Sequence, residues 1–73
     1  MTPIQIVFDL QLKTTQGDKV AELLFTDAVR ASLNKDWDGL AYIANIASGQ
    51  SSSKAWQMSD LRTIAELIEA VQP

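Results

Sequence analysis

The sequence contains no cysteine and no histidine among its 73 residues. The lack of cysteine excludes disulfide bonds, a thiol nucleophile and cysteine-ligated zinc. The lack of histidine removes the commonest general base and a usual metal ligand. The six Lys and Arg residues are scattered, and nine Asp and Glu residues give a net charge of −3, which speaks against a nucleic-acid surface. We therefore expect a protein that is not an enzyme and holds no cofactor.

Long apolar runs are also missing. No run approaches the length of a membrane span, and the first residues lack the order of basic, apolar and small residues that marks a signal peptide. The chain has room for one core, so we expect residues 1–73 to form a single cytoplasmic domain. A domain of this size is marginally stable alone, and a partner or a second copy is a natural cover for its remaining apolar surface.

Apolar residues alternate with others near the N-terminus. The alternating residues are Ile4, Ile6, Phe8, Leu10 and Leu12. Strict period-2 alternation is typical of a half-buried strand, and Pro3 suits a strand entrance. The pattern predicts a strand over residues 4–12.

The segment after the polar Gly17-Asp18 turn has two interpretations. Residues 20–25 pair back on the first strand as a β-hairpin, with Gly17 at positive φ, or they open one helix capped by Asp18 and extending to residue 34. We favour the hairpin, because a lone strand leaves its backbone groups unpaired. In either case a strand edge stays open for pairing between copies.

The rest of the chain reads as helices. A short helix ends near Asn34, a second runs from Gly39 to Ser48 behind an Asp36 or Asp38 cap, and Ser59 caps the last. The predicted fold class is thus α+β, an N-terminal β-hairpin or single strand followed by two to four helices. The residues predicted to form its core are Phe8, Leu10, Ile43, Ile64 and Ile68.

Three short patterns resemble chemical sites. The segment Ser51-Ser52-Ser53-Lys54 matches the S-x-x-K spacing of acylating enzymes but has no companion motif, so we interpret it as a connector. The aspartates of residues 36–39 resemble a calcium loop, but the glycine and glutamate positions of such a loop are not matched, and capping explains them. Glu66 and Glu69 read as a solvent-exposed helix face. No catalytic or metal-binding residue is predicted.

Candidate binding residues come from the open strand edge and from the aromatic residues of the predicted helical region. Trp is a common interface residue as well as a core residue, and Trp37 lies between two aspartates. The predicted interface residues are Ile4, Ile6, Val7, Phe8, Trp37, Tyr42 and Trp56.

Taken in order, these segments resemble the small tail assembly chaperones of long-tailed bacteriophages. The resemblance is carried by the strand-like residues 6–13, the turn 16–19, the return strand 20–25, the apolar segment 40–49 ending at Gly49, and the final helix of residues 58–68. It implies a bacterial host cell, self-association into rings or filaments, and binding of the helical tape measure protein while tail tube subunits are recruited. The alternative is a small phage or bacterial regulator or inhibitor that binds one folded host protein.

Overall fold

The computed structural model describes residues 2–49 and 56–72, which form four helices. These are α1 (Pro3–Thr15), α2 (Lys19–Asn34), α3 (Trp37–Ala47) and α4 (Met58–Val71). No residue in the two described ranges lies in a strand. The predicted α+β fold with an N-terminal β-hairpin is therefore wrong, and so is the open strand edge that followed from it.

Helix α1 begins with a capping box and a proline in its first turn. The side chain of Thr2 accepts a hydrogen bond from the backbone N–H of Gln5 at 3.3 Å, and the Gln5 side chain accepts one from the Thr2 N–H at 2.8 Å. Pro3 occupies the first helical turn, where its missing N–H costs nothing. This reciprocal capping box stabilises a helix at the residues where the alternation predicted a strand.

The alternating apolar residues of α1 lie on two opposite faces of the helix. Residues two apart are separated by about 200° around a helix axis. Ile6, which is 1% exposed, therefore points into the core, and Phe8, which is 64% exposed, points away from it. The same alternation can thus come from a strand with one apolar face or from a helix with two apolar faces. Residues 4–12 belong to a helix with two apolar faces.

The corner between α1 and α2 is a Schellman turn around Gly17. Gly17 has φ +86°, and the N–H of Asp18 donates to the carbonyl of Lys13 at 3.0 Å. The Asp18 side chain then accepts from the N–H groups of Val20 and Ala21, which begins α2. The positive φ of Gly17 is confirmed, but it joins two helices and not two strands. The Asp18 cap belongs to the alternative interpretation, one helix extending to residue 34, which holds in place of the favoured hairpin.

The corner between α2 and α3 repeats this arrangement. Lys35 has φ +55°, and the N–H of Asp36 donates to the carbonyl of Ala31 at 2.8 Å. The Asp36 carboxylate accepts from the N–H of Gly39 at 3.0 Å and caps α3. A Cβ at Gly39 would lie 2.9 Å from the Asp36 carboxylate carbon, so a larger residue here would displace the capping carboxylate. Of the two predicted candidates for this cap, Asp36 and Asp38, Asp36 is the one that caps the helix.

Helix α2 contacts all three other helices and buries almost only small side chains. Its buried residues are Ala21, Ala28, Ala31 and Ser32. Small residues on the inner side of a helix allow its neighbours to approach closely. The large core side chains come from the surrounding helices, namely Ile6, Leu10, Leu40, Ile43, Leu61, Ile64 and Ile68.

Four of the five predicted core residues are buried. Leu10, Ile43, Ile64 and Ile68 lie in the core, and Phe8 does not. Helix α4 begins one residue before the predicted cap: Gln57 precedes it without a side-chain capping bond, so the prediction for Ser59 is wrong. In the described part of the chain, no helix combines the length and the apolar character needed to cross a bilayer.

Candidate functional site

The outer face of α1 carries a row of three large apolar side chains. Ile4, Phe8 and Leu12 follow each other at intervals of four residues, which places them one above the other on a helix. Their exposed fractions are 52%, 64% and 57%. We call these three residues the α1 stripe. An exposed apolar row on a small domain is a candidate contact surface for another protein.

A shallow apolar groove borders the α1 stripe on the side of α4. Its lining includes Ile4, Val7 and Phe8 from α1 and Leu67 and Val71 from α4. Leu67 and Val71 are half-buried, and both pack against the core. The groove extends the apolar surface beyond one helix, so a partner lying on α1 can also contact α4.

Charge is nearly absent from α1. The only charged side chains of this helix are Asp9 and Lys13, and they form an ion pair of 3.0 Å with each other. The polar neighbours of Phe8 in the hollows around it are Gln5, which is exposed, Gln11, which is half-buried, and Asp9, which is paired with Lys13. The outer side of α1 therefore presents apolar and amide groups beside one paired carboxylate, so its burial needs no unpaired ion.

Four predicted interface residues fall on α1, where they divide into two pairs. Ile4 and Phe8 are exposed members of the α1 stripe. Ile6 and Val7 are 1% and 3% exposed and belong to the core, so they are not accessible to a partner in this conformation. The division follows from the helical geometry of a segment that we expected to be a strand.

The other three predicted interface residues lie apart from the α1 stripe. Tyr42 is exposed on α3, one turn before the exposed Ile46. Trp56 is half-buried, and its indole N–H donates to the Asn45 side-chain oxygen at 2.9 Å. Trp37 is half-buried in the first turn of α3 and packs against the core. The structure therefore does not bring the predicted interface residues into one surface.

Trp37 lines a second concave surface, an open cleft of about 480 Å³ between α2, α3 and α4. Its lining residues are Ser32, Lys35, Trp37, Arg62, Ala65, Glu66 and Glu69. Ser32 is 3% exposed, and its hydroxyl makes no hydrogen bond to any residue that the structure describes. A buried hydroxyl without a partner is unfavourable by roughly 1–3 kcal/mol, so Ser32 is a destabilising feature of the inner helix α2.

Asp36 lies at the corner between α2 and α3, where its carboxylate contacts both helices. Its carboxylate accepts from the Gly39 N–H and lies 3.3 Å from the Arg30 guanidinium, which also pairs with Asp27 at 2.7 Å. The pKa of Asp36 is lowered chiefly by the Gly39 hydrogen bond, with Arg30 adding to the effect and partial desolvation opposing it. Hydrogen bonding at both carboxylate oxygens explains Asp36 as a structural cap.

The remaining chemical patterns give no assembled site in the part of the chain that the structure describes. No group of three or more acidic side chains there is placed to hold a metal ion. Glu66 and Glu69 are exposed, as expected for a solvent-facing side of α4. The S-x-x-K segment at residues 51–54 lies outside the described residues.

Leu12 is the stripe residue that the sequence analysis did not include among the interface residues. As part of a strand it shared the inner face with Leu10, whereas in the helix it is exposed and Leu10 is buried. The spacing of four residues between Ile4, Phe8 and Leu12 is the signal that identifies the stripe, and a helix assignment is needed to read it.

The chain matches no protein-family model, no curated protein and no solved structure.

Proposed function

We propose that this protein is a non-enzymatic protein-binding module of the bacterial cytoplasm that self-associates through the α1 stripe. The observation that carries the proposal is that α1 is apolar on two opposite faces. Ile6, Val7 and Leu10 already pack in the core, whereas Ile4, Phe8 and Leu12 are each more than half exposed. An exposed apolar row on a small domain is typical of a contact surface for another protein, so the outer face of α1 is suited to a partner.

The non-enzymatic part of the proposal is supported by composition and by the local chemistry. The chain offers neither histidine nor cysteine for acid–base or nucleophilic work. In the Trp37 cleft the one buried hydroxyl, Ser32, lies among apolar, acidic and cationic side chains, and no hydrogen-bonded base accompanies it among the described residues. An activated serine needs such a base within hydrogen-bond distance.

The strength of self-association can be bounded from the burial that the stripe offers. Complete burial of a large apolar side chain contributes roughly 1.5–3 kcal/mol. Two copies bring six such side chains, each slightly more than half exposed, which gives roughly 5–10 kcal/mol. Association costs at least about 4 kcal/mol. The remaining stabilisation, at most about 6 kcal/mol, corresponds to a dissociation constant no tighter than about 40 μM.

The resemblance to tail assembly chaperones supplies a more specific candidate, in which the α1 stripe receives a helix of the tape measure protein in place of a second copy. An exposed apolar row beside a groove is suited to the apolar face of an amphipathic helix. The two segments that resembled strands are helical here, so the support comes from the apolar segment in α3 and the final helix α4. The tape measure helix is thus one specific case of the protein-binding function that we propose.

The experiment is light scattering with size exclusion over about 10 μM to about 1 mM protein. We expect the average mass to rise with concentration in the native protein and in a Leu33→Gln control, which removes an exposed apolar side chain from α2. Phe8→Gln should weaken association at least tenfold, because each copy loses its largest stripe residue.

A native protein that stays monomeric at about 1 mM would contradict the proposal. It would favour the alternative function, a small regulator or inhibitor that binds one folded host protein. Equal effects of Phe8→Gln and Leu33→Gln would instead remove the α1 stripe from the contact.

A further inference from the structure

We infer that the Trp37 cleft binds a small zwitterionic molecule with an aromatic ring, of which a free aromatic α-amino acid is the simplest example. The cleft lies between α2, α3 and α4, and it shares no lining residue with the groove beside the α1 stripe. The inference therefore concerns a surface other than the one in the proposed function and goes beyond that function.

The cleft has a buried floor, an aromatic wall and a charged rim. Ser32 and Ala65, which are 3% and 6% exposed, form the floor, and the half-buried Trp37 forms a wall. The exposed residues of the rim are Lys35, Arg62, Glu66 and Glu69. The volume of about 480 Å³ is within the range of roughly 300–1,000 Å³ that is typical of small-molecule sites.

The cations of the rim are those that the fold leaves unpaired. Lys13, Lys19 and Arg30 each form an ion pair within the molecule. Lys35 and Arg62 form none with any residue that the structure describes. Within residues 2–49 and 56–72, both unpaired cations therefore line the same cleft.

Two carboxylates line the cleft together with these cations. Glu66 and Glu69 likewise form no ion pair with a described residue. A ligand with only a negative charge is repelled by the two carboxylates, and a ligand with only a positive charge is repelled by Lys35 and Arg62. A ligand that carries one charge of each sign pairs with both kinds of group. The lining therefore favours a zwitterion.

Ser32 adds an unsatisfied polar group at the floor. The hydroxyls of Thr14, Thr15 and Thr63 each donate to a carbonyl three or four residues earlier in their own helix, at 2.7, 2.7 and 2.9 Å. The Ser32 hydroxyl makes no such bond and has no partner among the described residues. A buried polar group without a partner requires an explanation, and a polar group of a ligand at the floor supplies the missing hydrogen bond.

Trp37 determines the apolar part of the ligand. Its side chain packs against the core and also lines the cleft, so the indole is held in place from the inside of the molecule. Aromatic rings contact an indole in stacked or edge-to-face arrangements and bury a large apolar area. Ala65 at the floor is small and leaves room for such a ring.

A nuclear magnetic resonance titration of the ¹⁵N-labelled protein tests the inference, with the indole N–H of Trp37 as the reporter. The probes are L-phenylalanine, phenylacetate, which lacks the ammonium group, and 2-phenylethylamine, which lacks the carboxylate. We expect L-phenylalanine to shift the Trp37 resonance with a dissociation constant of about 1 mM. Each probe with a single charge should bind at least about threefold more weakly, because one pair of rim groups is left without a partner.

Three variants test the contacts of the ligand. Arg62→Gln and Glu66→Gln should each weaken binding about two- to fivefold, because each removes a charge that pairs with the ligand. Ser32→Ala should weaken binding about fivefold, because it removes a hydrogen bond, while its urea midpoint should not fall. Weaker binding by a variant that is no less stable cannot come from a damaged fold. Lys19→Gln changes an exposed cation of α2 outside the cleft and is the control that should bind like the native protein.

Four results would overturn the inference. The first is an unchanged Trp37 resonance at about 20 mM L-phenylalanine. The second is equal binding of phenylacetate and L-phenylalanine, which would mean a plain anion site. The third is an equal loss of binding in Lys19→Gln and Arg62→Gln, and the fourth is native binding by all three cleft variants, which would place the ligand elsewhere. Self-association is measured separately by light scattering, so the proposed function stands or fails independently of these results.

Discussion

Gly17 and Lys35 occupy the same position in the two successive corners of the bundle. Each has a positive φ, +86° and +55°, and each follows the last turn of a helix. Each is followed by an aspartate whose N–H closes the preceding helix and whose side chain caps the next one. The two corners are therefore built alike, although one uses glycine and the other a residue with a side chain.

This similarity predicts opposite effects of two substitutions. Lys35→Gly should raise the free energy of unfolding by up to about 1 kcal/mol, because the left-handed conformation costs a residue with a Cβ roughly that much. Gly17→Ala should lower it by about 1 kcal/mol for the same reason. Urea unfolding followed by circular dichroism measures both. A loss of stability in Lys35→Gly would show that contacts of the lysine side chain outweigh the cost of its positive φ.

The two faces of α1 predict a contrast between neighbouring residues. Ile6→Ala should lower the free energy of unfolding by about 2–5 kcal/mol, because it leaves a cavity in the core. Phe8→Ala, two residues further on, should change it by less than about 1 kcal/mol in dilute solution, since Phe8 is mostly exposed. The same urea titration, at a concentration where the protein is monomeric, compares them. A large effect of Phe8→Ala would mean that this residue packs internally.

The orphan hydroxyl of Ser32 predicts a stabilising substitution. Ser32→Ala should raise the free energy of unfolding by about 1 kcal/mol, because it removes an unpaired buried hydroxyl and improves helix propensity. Ser48→Ala is the matched control, since the Ser48 hydroxyl donates to the Asn45 carbonyl at 3.2 Å and its loss should not stabilise. Thermal unfolding of the native protein, Ser32→Ala and Ser48→Ala compares their stabilities. Destabilisation by Ser32→Ala would show that the hydroxyl has a partner in solution.

The lowered pKa of Asp36 predicts acid sensitivity at the second corner. Because the folded state favours the ionised carboxylate, the contribution of Asp36 is present above its ordinary pKa of 3.8 and is lost as the pH falls through its lower folded value. Asp36→Asn keeps a capping side chain but cannot ionise. We expect the loss of stability between about pH 5.5 and about pH 3 to be smaller in this variant than in the native protein. An equal loss in both proteins would assign the acid sensitivity to other carboxylates.

The sequence predicts part of the bundle, and it predicts the core residues better than the secondary structure of the N-terminal half. Ile43, Ile64 and Ile68 were identified because a spacing of three or four residues is compatible with only one buried face of a helix. Asp18 was identified as a cap in the alternative interpretation and Asp36 as one of two candidates, because a short acidic side chain ahead of an apolar segment is a common helix cap.

The failure lies in α1 and in the return strand expected over residues 20–25, which form the first part of α2. The error in the return strand followed from the error in α1, since the return strand was favoured as its pairing partner. Alternation identifies a strand only when one face of the segment is buried and the other is exposed to water. Here Ile6 and Leu10 fill the core, while Ile4, Phe8 and Leu12 form a second apolar face. The alternation therefore arises from two apolar faces of one helix, one packed in the core and one exposed. The Thr2–Gln5 capping box was the local signal that favoured the helix.

The two apolar faces of α1 also matter while the protein is being synthesised on the ribosome. Because α1 precedes α2, α3 and α4 in the chain, it is made before any helix that covers its inner face. Until those helices follow, both of its apolar sides are open to water and to other nascent chains. Such exposure makes an early intermediate prone to aggregation. Among the four described helices α1 is made first, so its two apolar sides stay exposed for the longest time during synthesis.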